Sequence, residues 1–189
     1  MPSAKGRLLL RAFEYSDLPF INELRNNDSL FEHTCANKYY ISSERDRKWI
    51  EDKIFNNQDQ LYLMVCEAGT SRPVGYTCAV EIDYVNRKAL WGGIVISEEF
   101  AGHGYGTECG RLLLSHLFCE LGMNMVYSHI KEGHSASLRM VEKLGFRVDG
   151  RIRSFGFKRN AFYDVHMVSV LREEFLDAIS AMDQPSSSR

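Results

Sequence analysis

The sequence predicts a mixed α/β fold in a single domain, and three observations support this prediction. Segments with the apolar pattern of strands alternate with segments that have the amphipathic pattern of helices. The chain has 189 residues, of which 44% are hydrophobic, so its length fits one domain with a substantial core. A loop with three glycines, residues 102–106, joins an apolar strand pattern to an amphipathic helix pattern.

The amino-terminal third is predicted to form one strand followed by two helices. Residues 7–13 are rich in apolar side chains and indicate the strand. Residues 16–17 offer capping side chains for the first helix, which we expect to end at the turn-forming residues 26–29. The second helix is predicted to begin at residues 42–45 and to continue to residues 56–57.

The remainder of the chain is predicted to contain six strands and three helices, separated by turn-forming residues. In chain order these are strands at 61–67, 74–82 and 89–96, a helix from Thr107 to Gly122, a strand at 125–130, a helix at 135–144, strands at 146–157 and 162–171, and a helix at 173–182. Residues 158–161 are expected to close a hairpin. The domain is therefore predicted to span residues 1–183, with a disordered serine-rich tail at 184–189.

The composition argues against several classes of protein. The formal net charge is −2, and Lys and Arg form no cluster of five or more, so we expect no nucleic-acid partner. No segment approaches the length of a membrane span. The five cysteines include no Cys-x-x-Cys pair, so neither a disulfide framework nor a metal site is expected. Reduced thiols without a signal sequence indicate a cytoplasmic protein.

The glycine loop is predicted to bind the phosphate groups of a ligand through its backbone. Glycine permits positive φ angles and close approach, and the helix that follows offers unsatisfied N–H donors and the positive end of its dipole. A Walker loop is excluded because Gly106 is followed by Thr107 and not by lysine. A Rossmann fingerprint is excluded because Thr107 or Cys109 occupies the place of its third glycine. A flexible loop without a ligand remains the alternative.

The same loop resembles the signature of the GNAT N-acetyltransferase family, Arg/Gln-x-x-Gly-x-Gly/Ala. Gly104 and Gly106 take the two glycine positions, whereas Ala101 stands where the family usually has Arg or Gln. This departure removes one side chain but none of the backbone donors, so the expected phosphate-binding role is unchanged.

Two later segments resemble the same family. Residues 134–146 are similar to a family helix with the pattern Asn-x-x-Ser/Ala followed by Lys-Leu-Gly-Phe, with His134 in place of Asn and a match at residues 144–146. Residues 153–175 are similar to the closing hairpin of the branch that acetylates ribosomal-protein N-termini, spermidine and amino sugars. The resemblance thus extends in order over most of the chain, although the amino-terminal third matches only by pattern.

The resemblance implies a fold and a co-substrate. The expected GNAT fold has a mixed central sheet of about seven strands with helices on both faces, splayed between the fourth and fifth strands, where the ligand pairs with the fourth strand like an added strand. The implied co-substrate is acetyl-CoA, whose acetyl group passes directly to a primary amine. The residues expected to hold it are Ile94, Val95 and Ile96 for pantetheine, Gly102, His103, Gly104, Tyr105, Gly106 and Thr107 for the diphosphate, and His134 and Ser137 near the thioester. For His134 a helix-capping or surface role remains open, and for Ser137 a structural role in the helix. Gly92 and Gly93 within the strand predict a bulge or a close backbone approach beside this region.

The catalytic groups follow less directly from the resemblance. Many family enzymes keep a tyrosine four residues after Ser137 as general acid, but Val141 holds that position here. We therefore expect Ser137 or a water molecule to protonate the leaving thiolate. Glu81 is the expected base because it ends a strand that borders the acceptor pocket in the family; the alternatives left open are Asp83, Glu32, His33 and water.

The acceptor is expected to be a small-molecule amine, such as an amino sugar or a polyamine, or a protein N-terminus. An amino sugar ranks above a polyamine because acidic residues between positions 20 and 40 are interrupted by basic and neutral ones. The family also makes a homodimer a reasonable expectation. Two rival functions remain: a non-catalytic acyl-CoA-binding module, motivated by Ala101 and Val141, and, more weakly, a nucleotide-dependent transferase.

Overall fold

The strands of the protein form one mixed sheet. The computed structural model describes residues 6–32, 34–36, 40–56 and 58–183. Within these ranges the strands are β1 (Leu8–Ala12), β2 (Leu61–Glu67), β3 (Pro73–Asp83), β4 (Lys88–Ile96), β5 (Met125–Lys131), β6 (Arg147–Lys158) and β7 (Ala161–Leu171). Their order is β1-β2-β3-β4-β5-β7-β6, and β4 and β5 are the parallel pair. The predicted mixed α/β fold is confirmed. Each observed strand begins and ends within one residue of the bounds predicted for it.

Helices cover both faces of this sheet, as expected. They are α1 (Leu18–Asn26), α2 (Asp28–Glu32), α3 (Ser43–Phe55), α4 (Tyr105–Ser115), α5 (Ser135–Lys143) and α6 (Arg172–Asp183). Ile21 of α1 and Ile50 of α3 pack with Met64 of β2 in one buried cluster. Val65, the next residue of β2, packs with Cys109 of α4 in another cluster. Because successive strand residues point to opposite faces, α1 and α3 lie on one face and α4 on the other.

The structure differs from the prediction at two helix ends. Residues 26–29 end α1, but they also start α2, because the side chain of Asn27 accepts a hydrogen bond from the backbone N–H of Leu30 at 3.0 Å. The helix predicted to reach Gly122 changes to a π-helical turn, His116–Glu120, in which the N–H of Leu121 donates to the carbonyl of His116 at 3.1 Å. The predicted tail, residues 184–189, lies outside the described residues.

The sheet splits between β4 and β5. The two strands pair only from Lys88 to Leu90, opposite residues 125–127, and then separate. A bulge in β4 follows at once: Ala79 of β3 pairs with Trp91 and Cys78 pairs with Gly93, so Gly92 has no opposite residue. Gly93 adopts a φ of 110°, which favours glycine. The predicted bulge and the predicted splay are both confirmed.

Side-chain hydrogen bonds support the bulge. The Thr77 hydroxyl donates to the carbonyl of Gly93 at 2.8 Å, and the Trp91 indole N–H lies 3.1 Å from both the Thr77 hydroxyl and that carbonyl. From β5, the Ser128 hydroxyl donates to the Trp91 carbonyl at 2.9 Å. The bulge therefore directs β4 away from β5 without leaving these buried backbone carbonyls unpaired.

Candidate active site

The separation of β4 and β5 creates a cavity of about 280 Å³, which we call the β4–β5 cleft. One wall is the second half of β4, and the opposite wall is the second half of β5 with helix α5. Residues that follow α2 close one end. The lining residues used below are Ile94, Val95 and Ile96 on β4, His129 and Lys131 on β5, Thr34 and Cys35 after α2, and His134, Ser137 and Val141 on or before α5.

The β4 wall lies where the sequence predicts the pantetheine arm. Ile94, Val95 and Ile96 pair with β3 on one side only, since pairing with β5 ends at Leu90. The other edge of β4 therefore faces the cleft with backbone groups that an extended ligand can pair with. This arrangement places the three predicted residues together in the cleft.

Helix α5 brings three sequence-predicted positions to the opposite wall. His134 is the N-cap residue of α5, but its side chain makes no capping hydrogen bond. Ser137 and Val141 lie four residues apart, so they share one face of the helix, and both line the cleft. The position that holds a tyrosine in many family members thus faces the cleft, but here it presents an aliphatic side chain that is 3% exposed.

The glycine loop lies outside the cleft lining, at the amino-terminal end of α4. Gly102 and Gly104 have φ angles of 79° and 78°, and Gly104 is the N-cap residue without a side-chain cap. Among the described residues none accepts a hydrogen bond from the backbone N–H groups of residues 102–107. These donors and the helix dipole provide a site for an anion, which is the chemistry that the sequence predicts.

Arg7 fixes this loop, a role that the sequence did not indicate. Its guanidinium donates to the carbonyl of His103 at 3.0 Å and forms a 3.0 Å ion pair with Glu108 in the first turn of α4. Glu108 also accepts a hydrogen bond from the backbone N–H of Leu8 at 3.0 Å. The arginine thereby offsets the only negative side chain in the first turn of α4 and adds a cation beside the loop.

The predicted base, Glu81, lies near the cleft but not among its lining residues. It occupies a bulge of β3 with a φ of 52°, and its carboxylate accepts a 2.6 Å hydrogen bond from the Tyr127 hydroxyl. Burial, and then the hydrogen bond to Glu81, raise the pKa of Tyr127 to about 12. Tyr127 therefore stays protonated and keeps Glu81 occupied as an acceptor.

The other predicted base candidates have structural partners. Asp83 accepts hydrogen bonds from the backbone N–H groups of Val85 and Asn86 and from the Asn86 side chain, and these bonds to Asn86 lower the pKa of Asp83. Glu32 forms an ion pair with Arg159 at 2.9 Å and a longer one with Lys131 at 3.7 Å. His33 lies outside the described residues.

His129 is the titratable ring that the structure adds to the site. It lies on β5 and lines the cleft, with the Phe155 ring 4.9 Å away and the Tyr127 ring 6.2 Å away, centroid to centroid. Burial lowers its pKa, while the charge of Glu81 acts in the opposite direction. Strand alternation was the available signal, because it places Tyr127, His129 and Lys131 on one face of β5.

The end of α2 and the segment that follows it are held against this end of the cleft by side chains of the carboxy-terminal strands. The Lys158 ammonium donates to the carbonyls of Phe31 and Thr34, and the Tyr163 hydroxyl donates to the carbonyl of Cys35 at 3.0 Å. The Lys131 ammonium donates to the carbonyl of Glu32 at 3.2 Å. The acceptor end of the cleft is therefore built jointly from this segment, β5 and the β6–β7 hairpin.

The described residues offer neither a candidate metal centre nor a helix that could span a membrane. In the described part of the chain, no group of three or more His, Cys, Asp and Glu residues is arranged to hold a metal ion. None of the described helices is long and apolar enough to cross a membrane.

Comparison with known proteins identifies the family. The family description "Acetyltransferase (GNAT) domain" matches residues 7–147. The spermidine N(1)-acetyltransferase of Vibrio cholerae is 25% identical over 172 residues, which cover 91% of this chain and 97% of that protein. The Escherichia coli K12 enzyme of the same name is 24% identical over 176 residues, covering 93% of this chain and 91% of the relative.

A solved structure agrees with these sequence relatives. The crystal structure of the Vibrio cholerae spermidine N-acetyltransferase in complex with CoA and spermine matches with a TM-score of 0.84 and 25% identity. The match covers 91% of this chain and 99% of that one. The family domain covers most of the chain, and the observed sheet splays where the GNAT fold requires it. The chain therefore belongs to the GNAT family of acetyl-CoA-dependent N-acetyltransferases.

Proposed function

We propose that the protein transfers the acetyl group of acetyl-CoA to a primary amine of a small molecule, with polyamines as the first acceptor class to test. The observation that carries this proposal is the β4–β5 cleft. One of its walls is an unpaired strand edge, and its far end is lined by His129, with the hydrogen-bonded Glu81–Tyr127 pair nearby but outside the lining. The cleft therefore offers one region suited to an extended ligand and another suited to an amine.

The residues present fit acetyl-CoA. The N–H groups of residues 102–107 face no protein acceptor among the described residues and suit a diphosphate, with Arg7 as a neighbouring cation. The edge of β4 from Ile94 to Ile96 suits the amide groups of pantetheine, and His134 and Ser137 lie across the cleft from it. When bound, acetyl-CoA supplies an activated acyl group as a thioester.

The chemistry asks little of the protein beyond position and proton transfer. The amine must lose a proton before it attacks the thioester, and the thiolate must gain one as it leaves. A backbone N–H on the β4 edge is suited to stabilise the developing oxyanion. We propose that Ser137 protonates the thiolate, directly or through water, because Val141 carries no acidic hydrogen. Holding the amine and the thioester side by side supplies much of the rate.

The relatives favour a polyamine acceptor. The two spermidine acetyltransferases named above align with this chain over nearly its whole length. In this chain, Glu81 supplies a negative charge near the cleft for a cationic amine, whereas Glu32 is already paired with Arg159 and Lys131. We therefore expect a bound amine to approach from the Glu81 side.

An amino sugar is the second candidate, and one observation favours it. Phe155 is 41% exposed beside His129, and an exposed aromatic ring at the acceptor end can pack against the apolar face of a sugar. The amino sugar, which the sequence ranks above a polyamine, therefore remains a direct competitor of the polyamine as acceptor.

Release of CoA thiol with a panel of amines tests the proposal. Purified protein and acetyl-CoA are incubated separately with spermidine, glucosamine and a short peptide with a free N-terminus, and acetylated products are identified by mass spectrometry. We expect acetylated spermidine as the main product. Acetylated glucosamine would support the second candidate, and acetylated peptide would contradict a small-molecule acceptor. Calorimetric CoA binding without turnover of any amine would indicate the non-catalytic module instead.

A further inference from the structure

We propose that His129, and not Glu81, takes the proton from the acceptor ammonium, and that Glu81 assists His129 through its negative charge. This inference rests on the proposed function and deepens it by assigning the base. It also revises the role expected for Glu81 from the sequence.

The position of His129 suits a base. The residue lines the cleft, its ring is in contact with the rings of Phe155 and Tyr127, and no described residue hydrogen-bonds to its ring nitrogens. The backbone carbonyl of His129 accepts a hydrogen bond from the Cys35 thiol at 3.7 Å, which places the histidine beside the segment that closes the acceptor end. A ring at the cleft that has no hydrogen-bond partner in the described part of the chain is free to accept a proton from a bound amine.

The position of Glu81 suits an assisting role better. Its carboxylate does not line the cleft, and it is already bonded to the Tyr127 hydroxyl at 2.6 Å. The Tyr127 ring stands edge-on to the His129 ring, at an interplanar angle of 87°. Glu81 therefore influences the cleft through the electrostatic effect of its charge, and Tyr127 lies between its carboxylate and the reacting groups.

The electrostatic surroundings of His129 support a neutral imidazole. Burial is the larger effect and lowers its pKa, and Glu81 opposes it. Among the described residues, the other titratable groups near it are Tyr127 and Lys131 on the same face of β5, Cys35 after α2, His134 before α5, Tyr163 on β7 and Lys158 on β6; residues 91–96 of β4 have no titratable side chain. Lys131 and Lys158 are held by backbone carbonyls at the end of α2 and just after it. At neutral pH the ring is thus able to receive a proton.

In the proposed reaction the attacking amine loses two protons, one before and one after the C–N bond forms. A ring nitrogen of His129 takes one proton from the ammonium, and the freed lone pair of the amine forms the new C–N bond at the thioester carbonyl. Collapse of the tetrahedral intermediate breaks the C–S bond. The nitrogen loses its second proton, which leaves an amide, and the departing thiolate gains a proton, which gives CoA thiol. The imidazolium then releases its proton to solvent.

The pH dependence of kcat/KM for the amine distinguishes the two candidate bases. In the wild type we expect the rate to fall in acid with an inflection below about 6.5, the ordinary pKa of histidine. His129→Gln should remove this inflection and lower kcat about 100-fold, while KM for acetyl-CoA stays nearly unchanged. Glu81→Gln should keep the inflection but move it to lower pH, because the imidazolium loses a neighbouring negative charge.

A matched control and a folding check complete the kinetic test. His166→Gln makes the same change on β7, outside the cleft lining, and should leave the profile as in the wild type. Each variant should also bind CoA and unfold near the wild-type temperature. If Glu81→Gln removes the inflection and His129→Gln retains it, Glu81 is the base and the inference is wrong.

An NMR titration of the His129 ring provides a test that needs no acceptor. We expect a pKa below the ordinary value in the wild type and a still lower one in Glu81→Gln. A ring that titrates at or above the ordinary value, or that does not respond to Glu81→Gln, would overturn the inference. Failure of the wild type to acetylate any amine would instead count against the proposed function.

Discussion

Ser137 and Val141 together define how this chain can protonate the leaving thiolate. They lie on the cleft-facing side of α5, where an aliphatic group takes the place of the usual tyrosine. The reaction tolerates the absence of this tyrosine because a thiolate leaves far more readily than an alkoxide. The serine hydroxyl is then the proposed proton donor, and its contribution should be modest.

Replacing Ser137 tests this assignment at the scale of one residue. For Ser137→Ala we expect kcat to fall about tenfold, which is less than a full general acid contributes. KM for acetyl-CoA should change less than about twofold, because backbone groups provide most of the proposed binding. Steady-state kinetics with both substrates varied measures the two effects.

Ser135, the first residue of α5, provides the control, since it is exposed and does not line the cleft. Ser135→Ala makes the same change two residues away and should behave as the wild type. If Ser137→Ala also behaved as the wild type, the result would contradict the proposed role of Ser137 and would indicate that water alone protonates the thiolate.

The bulge in β4 depends on one buried threonine. The Thr77 hydroxyl bonds to the Gly93 carbonyl and lies within hydrogen-bond distance of the Trp91 indole, and the residue is 0% exposed. Thr77→Val keeps the shape but removes these bonds, so we expect the free energy of unfolding to fall by about 1–3 kcal/mol. Urea denaturation measures this loss.

Thr70→Val is a matched change at an exposed loop residue and should cost little. Equal stability of the two variants would show that the threonine hydroxyl does not support the bulge.

The proposed diphosphate-binding role of the loop–helix element around Gly104 is best tested by adding a negative charge at this residue. Asn and Asp both tolerate a positive φ and both cap helices, so Gly104→Asn and Gly104→Asp should fold alike. A carboxylate about 5 Å from a diphosphate at an effective dielectric of about 20 costs about 3 kcal/mol per charge pair before screening. We therefore expect CoA to bind at least about tenfold more weakly to the Asp variant than to the Asn variant, as measured by calorimetry.

The ionic-strength dependence of the two variants gives a further check. The difference between them should shrink as salt screens the added charge. Equal affinities at low salt would place the diphosphate elsewhere and would contradict the assignment of residues 102–107.

At the scale of the whole molecule, the sequence predicts the frame of the fold better than its site. Period-two and helical patterns locate strands where one face is packed against a core, as for Val126 and Ile130 on β5. Strand β6 has no buried residue, and it is located instead by the hairpin turn predicted at residues 158–161. The short helix α2 escapes prediction because the capping by Asn27 resembles an ordinary turn. The π-helical turn after α4 also escapes, since it leaves the apolar spacing intact.

The candidate site divides in the same way. Glycines and strand edges, which act through the backbone, are recognisable along the chain: residues 94–96 line the cleft and residues 102–107 lie at the start of α4, while their binding of acetyl-CoA stays a prediction. The acceptor end is different, because it assembles from β3, β5, the segment after α2 and the β6–β7 hairpin. The contact between Glu81 and Tyr127 spans 46 residues of sequence, and no local pattern marks it. Strand alternation places His129 on one face of β5, but its position beside the cleft and Glu81 emerges only from the assembled sheet.

A crystal structure of the protein grown with CoA tests the central claim most directly, namely that the β4–β5 cleft and the glycine loop hold this molecule. We predict the pantetheine arm alongside residues 93–96, its sulfur near Ser137 and His129, and the diphosphate against the N–H groups of residues 102–107. CoA bound elsewhere on the protein, with the cleft filled by solvent or by rearranged side chains, would contradict the account.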